Sequence, residues 1–259
     1  MKIVCLKAKR ILCGIGLLAL ALAVCILLRE VGAYAVNAMT AARALPIYCV
    51  EREDKKIAIS FDCAWGTDHT DDILAALEQN DVKCTFFMVQ FWVEKYPEFV
   101  KKIDEAGHEI GTHSRTHPYM SKLGEERIRE ELSSSSSAIS AVTGKTVELF
   151  RPPYGDYNNL VVNTARSMGL YPIQWDVDSL DWKDLSSQEI AMRIINGVKP
   201  GSIILCHNNG LHTAEALPLI FSTLQNRGYE FVPIGELIYK DSYEIDSTGR
   251  QKQTTKTQA

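Results

Sequence analysis

The chain has 259 residues, 46% of them hydrophobic and 23% charged, with a formal net charge of −4. That balance supports one substantial buried core. The charge is too mild to imply a nucleic-acid partner, and no basic stripe runs along the sequence.

Lys2, Lys7, Lys9 and Arg10 precede an uncharged run from Ile11 to Leu28 that ends at Arg29-Glu30. The run is near the ~18-residue threshold for crossing a bilayer and longer than the usual signal-peptide core. Positive charge on its N-terminal side predicts that this end stays cytoplasmic and the remainder is exported. Residues 1–30 therefore read as a cytoplasmic stub and single transmembrane anchor. The small residues Ala33-Tyr34-Ala35 also offer a cleavage site, which would make the product secreted. Residues 31–54 read as a juxtamembrane connector. Of the seven cysteines, Cys5, Cys13 and Cys25 lie within residues 1–30. Cys49, Cys63, Cys84 and Cys206 lack CxxC spacing and are expected as free thiols.

From Ile57 the chain alternates strand-like and helical patterns. The strand-like runs are Ile57–Phe61, Cys84–Val89, Glu109–His113, Val147–Phe150, Tyr171–Val177, Ser202–His207 and Tyr229–Pro233. Gly107, Gly144, Gly169 and Gly228 each fall just before a strand, where left-handed caps end helices. The serine run Ser133–Ser137 looks like a linker, but Ile128, Leu132, Ser135, Ile139 and Val142 recur on one helical face. Residues 241–259 hold few large apolar side chains and read as a disordered polar tail. The alternation predicts an α/β domain over residues 55–240, a mostly parallel sheet covered by helices, open or closed into a barrel.

In such folds reactive groups gather at the C-terminal strand ends. Asp62 ends the first run and His113 the third; Arg151 follows the fourth, Asp178 the fifth, and His207 ends the sixth. His113 and His117 are spaced i, i+4, so a strand turning straight into a helix would put both imidazoles on one side, able to share a metal. Arg151-Pro152-Pro153-Tyr154-Gly155 is a stiff turn suited to presenting a backbone N–H to a developing oxyanion, with Arg151 placed to orient a carboxylate. Asp176-Val177-Asp178-Ser179-Leu180-Asp181 carries three acids just after a strand, and a carboxylate near His207 would raise the imidazole pKa and make it a better general acid.

Ser60-Phe61-Asp62, His113-x-x-x-His117, Arg151-Pro-Pro-Tyr-Gly-x-x-Asn158, Asp178-x-x-Asp181-Trp182 and Leu205-x-His207 together resemble the five motifs of the polysaccharide deacetylase (NodB-homology, carbohydrate esterase family 4) domain. The Phe-Asp-Cys-Ala-Trp-Gly variant looks most like its sporulation-associated members. The resemblance implies a distorted (β/α) barrel that removes N-acetyl groups from peptidoglycan or a related glycan with a divalent metal, often zinc. Carried over by position, it implies Asp62 as general base, His113 and His117 as metal ligands, and Arg151 holding Asp62. It further implies Tyr154 N–H at the oxyanion, and His207 as general acid tuned by Asp178. Trp182 and Leu205 would wall the acetyl pocket.

One position departs from the family's pattern. A second Asp usually follows the base and supplies the third metal ligand, whereas this chain has Cys63. A Cys63 thiolate could ligate, Asp68 in the longer turn could reach back, or the metal could rest on two histidines and water. Three functional readings follow: an N-deacetylase, a catalytically silent glycan-binding protein of cell-wall or spore assembly, and an O-acetyl esterase.

Overall fold

The computed structural model describes residues 43–254, together with Val24 and Cys25, which are helical. The chain divides into the units Met1–Arg43 and Ala44–Ala259, and the fold below is that of the second. No helix among the described residues is long and apolar enough to cross a membrane. The apolar run Ile11–Leu28, Val24 and Cys25 excepted, lies outside the described residues.

The elements in chain order are β1 (Cys49–Val50), β2 (Lys56–Cys63), α1 (Thr70–Gln79), β3 (Thr85–Met88), α2 (Gln90–Lys95), α3 (Pro97–Glu105) and β4 (Glu109–Thr112). There follow α4 (Glu125–Thr143), β5 (Leu149–Phe150), α5 (Asn159–Ser167), β6 (Tyr171–Pro172), β7 (Val177–Asp178), α6 (Ser187–Gly197) and β8 (Ile203–His207). The chain closes with α7 (Thr213–Asn226), β9 (Glu230–Phe231), α8 (Ile234–Leu237), β10 (Tyr243–Ile245) and β11 (Arg250–Gln253). The main sheet runs β6-β5-β4-β3-β2-β8-β7, all parallel, with β9 pairing the start of β2. The run Tyr171–Val177, expected as one strand, is two, and these form the opposite edges of the sheet. β6 and β7 do not pair with each other, and Ile47 lies against the free side of β6 instead, so the barrel is open.

Alternation along β2 divides the core in two. Ile57, Ile59, Phe61 and Cys63 pack outward among the helices with Phe86, Met88 and Cys206. Ala58 packs inward with Phe87, Leu149, Ile173 and Ile203. By the same period Ser60 and Asp62 face inward, and Asp62 is the last of them before the turn. Helix α4 spans the serine run, as its periodicity predicts. Gly107, Gly144, Gly169 and Gly228 all have positive φ, between 70° and 81°. The described cysteines are free.

Two expected boundaries move outward. Residues 31–54 were expected as connector, yet the chain joins the fold from Ile47. Its N–H donates to Pro172 O at 2.9 Å, Gln174 N–H donates to Ile47 O at 2.7 Å, and Val50 N–H donates to Gly201 O at 2.9 Å. Burying Ile47 and Val50 in the inner core drives this. The tail expected to be disordered is likewise ordered through residue 254. β10 and β11 pair antiparallel around the Asp246–Gly249 turn, and β11 pairs β1 in parallel. Gln251 is fully buried, its amide donating to Tyr239 O at 2.6 Å and accepting from Tyr239 N at 2.9 Å. Backbone pairing and one satisfied amide thus order a segment poor in apolar side chains.

Candidate active site

A cavity of about 540 Å³ opens at the C-terminal ends of the strands. Asp62 from β2, His113 and His117 after β4, Tyr154 after β5, Asp178 from β7, Trp182, and Leu205 with His207 from β8 all line it. Asp62 and His207 are register partners on adjacent strands, so both reach the cavity at the same level.

Asp62 is 7% exposed. Arg151 Nη1 donates to its Oδ1 at 2.8 Å, and Arg151 Nη2 donates to Gln174 O at 3.3 Å. The guanidinium is itself fully buried, 4.2 Å from the Phe87 ring centroid. Burial alone would raise the Asp62 pKa, but the charges of Arg151, His113 and His207 outweigh it and hold the carboxyl below its ordinary value. The group is therefore an anion at neutral pH, as a general base must be.

His113 Nδ1–H donates to Arg151 O at 2.7 Å, which turns Nε2 toward Asp62 Oδ2, 3.5 Å away. The His117 ring lies edge-on to it with centroids 4.9 Å apart. The two imidazoles do not meet along a helix. Ser114 and His117 have φ of 74° and 57°, so a tight turn brings them together. Burial, with His113 beside it, lowers the His117 pKa to about 4, and its buried Nδ1 has no protein partner. Tyr154 stands in the left-handed region at φ 59°, its half-exposed ring stacked on Tyr119 at 4.4 Å and edge-on to His117 at 4.5 Å. Such a backbone costs about 1–3 kcal/mol and persists where the surroundings over-determine it.

On the other wall, His207 Nδ1–H donates to Asp181 Oδ1 at 2.7 Å. Asp181 Oδ2 accepts from His207 N at 2.7 Å and from Thr213 Oγ1 at 2.7 Å. Burial opposes charging of His207, yet the bond to Asp181 and the charges of Asp181, Asp62 and Asp178 raise its pKa above the ordinary value. The ring's remaining nitrogen is left for the cavity.

A family model described as polysaccharide deacetylase matches residues 50–173. A peptidoglycan-N-acetylglucosamine deacetylase of Bacillus cereus is 32% identical over 194 residues, covering 73% of this chain and 91% of that protein. The chain belongs to the polysaccharide deacetylase family. PgdA of Listeria monocytogenes, a peptidoglycan-N-acetylglucosamine deacetylase, is 34% identical over 75% of this chain. The chain spans only 41% of PgdA's length. Among solved structures, BA3943 of Bacillus anthracis, a CE4 family pseudoenzyme, superposes with TM-score 0.73 at 33% identity, covering 82% of this chain and 71% of that one.

Within the polysaccharide deacetylase frame, two expectations need correction. The first concerns the partner of His207, which is Asp181 rather than Asp178. Asp178 faces the cavity but spends Oδ1 on the Leu180 N–H at 2.9 Å, and acts on His207 only through its charge. The turn after β7, with Leu180 at φ 53°, brings Asp181 under the ring instead.

The second concerns the third metal ligand. Cys63 alternates away from the site and is fully buried in the outer core, where burial and the Asp62 charge raise its thiol pKa well above the ordinary value. Asp68 is exposed and does not line the cavity. No cluster of three or more metal-binding side chains occurs among the described residues. The donors present fit a cation at two points: the Nε2 of His113 and the imidazole of His117, whose buried Nδ1 lacks a partner. They do not fit the three-protein-ligand pattern of the family.

Several contributors were not singled out in the sequence. Trp65 and Trp175 line the cavity. Buried Asn208 donates to Gly66 O at 2.9 Å, and Trp92 Nε1–H donates to the same oxygen at 2.8 Å, which pins the turn after Asp62. Asn208 directly follows a strand-end histidine, and that position was the available signal.

Proposed function

We propose that this polysaccharide deacetylase hydrolyses the N-acetyl groups of an extracytoplasmic amino-sugar polymer such as peptidoglycan. The single observation that carries the reading is the pairing of a buried, arginine-held Asp62 with an aspartate-held His207 at one level of one cavity. The first holds the carboxylate in its ionised form and the second favours the protonated imidazole, the pairing that a base and an acid in one site require.

In this mechanism Asp62 accepts a proton from the attacking water, and Arg151 fixes the carboxylate's orientation. His207 delivers a proton to the departing amine, with Asp181 stabilising the imidazolium. The Tyr154 N–H serves the oxyanion, and Leu205, Trp182 and Trp175 exclude water around the acetyl methyl. His113 and His117 would hold a divalent cation, zinc by the nature of its nitrogen donors, and bound there it would polarise the amide carbonyl. We further assign the Ile11–Leu28 run as a membrane anchor that leaves the domain outside the cytoplasm, and the variant motif supports a role in spore-associated cell wall.

A second reading, a catalytically silent glycan-binding protein, draws on the missing third ligand and on the likeness to a pseudoenzyme. The intact Asp62–Arg151 and His207–Asp181 pairs speak against it, since a binding cleft has no need of either. The full chain, supplied with zinc, is incubated with peptidoglycan, an N-acetylglucosamine oligomer and an O-acetylated glycan. Acetate with matching free amine supports the N-deacetylase. Acetate from the O-acetylated glycan alone makes the chain an esterase, and no acetate from any substrate supports the silent reading.

A further inference from the structure

Glu131 is fully buried on α4, although it is a carboxylate on a helix otherwise facing the core with Ile128, Leu132 and Ile139. Its Oε2 accepts from the N–H groups of Arg115 and Thr116 at 2.9 and 2.7 Å, and its Oε1 accepts from Thr116 Oγ1 at 2.8 Å. Arg127 Nη2 supplies the counter-charge at 3.0 Å, and Arg115 pairs with the neighbouring Glu130. Two successive backbone N–H groups aimed at one carboxylate form an anion-binding concavity, and here the anion belongs to the protein.

The segment so held is the turn between His113 and His117. One helical turn further on, Ser135 touches the same loop. Thr112 Oγ1 donates to Ser135 Oγ at 2.7 Å and accepts from Ser114 N at 3.2 Å, while Ser114 Oγ accepts from His117 N at 3.1 Å. Both Ser114 and His117 have positive φ, a region uncommon for residues other than glycine.

We propose that Glu131 is a positioning residue: it sets where the His117 imidazole stands relative to His113, and so the spacing of the two donors. The role rests on reading those histidines as a cation site, and it touches neither the substrate nor the reacting atoms. His113 and His117 are the two protein donors assigned to that cation, so their spacing has no third ligand to correct it.

The test uses the full chain with Glu131→Gln, which keeps the shape and removes the charge, and Thr116→Val, which removes one bond to Glu131 from an exposed residue. Two readouts are taken: the long-range imidazole nitrogen–proton spectrum of the metal-free protein, and affinity for cobalt(II). Both variants are expected to move or split the His117 signals while leaving those of His207 in place. Cobalt affinity should fall about 10- to 100-fold for Glu131→Gln, and less for Thr116→Val. A merely structural role would lower the melting temperature of Glu131→Gln and leave both readouts unchanged in whatever folds. Wild-type His117 signals and wild-type cobalt affinity in Thr116→Val would overturn the proposal even if Glu131→Gln failed to fold. The metal-free spectrum does not depend on turnover, so an inactive wild type would count against the deacetylase reading alone.

Discussion

His207 Nδ1 lies 2.7 Å from Asp181 Oδ1, while the backbone N–H of the same histidine reaches the other oxygen of the same carboxylate. Asp181 thus fixes both the ring's tautomer and the end of β8 that carries it. Asp181 raises the His207 pKa, so its loss must lower it. In Asp181→Asn the alkaline limb of the pH–rate profile should therefore move to lower pH. Asp178→Asn should move it in the same direction but less, because Asp178 acts only through space. An unmoved alkaline limb in Asp181→Asn would contradict this assignment.

Arg151 is expected to matter more for the chemistry and for the fold than any surface arginine. Arg151→Ala leaves the buried Asp62 carboxylate without its main counter-charge, which typically costs about 3–5 kcal/mol. The same loss raises the Asp62 pKa, so the acid limb of the profile should shift upward. Arg151→Lys keeps a charge but cannot serve Asp62 and Gln174 O from one planar group. Its turnover should drop about 100-fold, the scale of a misplaced catalytic group. Urea unfolding and a pH–rate series measure the two effects separately.

Cys63→Ala tests the outward orientation of that residue. The substitution removes one buried sulfur from the outer core, a loss of about 1 kcal/mol. Metal content of the purified protein and turnover should stay at the wild-type level. Asp68→Ala, at an exposed position, should change neither stability nor metal content. A drop in bound zinc for either variant would place a ligand where the structure has none.

Removing residues 242–259 should destabilise the domain rather than trim a loose end. The cut deletes β10 and β11 and leaves the Tyr239 backbone without the Gln251 amide. Losing two hydrogen bonds and the cover over β1 should cost at least ~1 kcal/mol, or about 2–4 °C in melting temperature for a domain of this size. An unchanged melting curve would restore the disordered-tail expectation.

What was legible in the sequence follows from periodicity and punctuation. The buried run of β2, the cap glycines and the face of α4 all carry local signals that tertiary packing reinforces. Asp62, His113, Arg151 and His207 are legible because each stands at or directly beside the C-terminal end of a strand. The partner of His207 was not, because the turn from Asp178 to Asp181 depends on a left-handed Leu180 that no local propensity announces. Two-residue alternation alone sets Cys63 on the opposite face from Asp62. The order of the tail is not legible in its composition, which reports apolar burial and misses order built from backbone pairing and a single amide. Glu131 gave no signal as a loop anchor, since a glutamate in a helix ordinarily faces water.

Acetate release from peptidoglycan by the full zinc-supplied chain and by Asp62→Asn measures most directly whether Asp62 is the base of an amide-hydrolysing site. The side chains are nearly the same shape, and only the wild type accepts a proton. Wild-type protein should release acetate with matching free amine, and Asp62→Asn should do so about 10²- to 10⁴-fold more slowly, at a melting temperature showing it is folded. Equal rates for the two proteins, including no acetate from either, would contradict that role for Asp62.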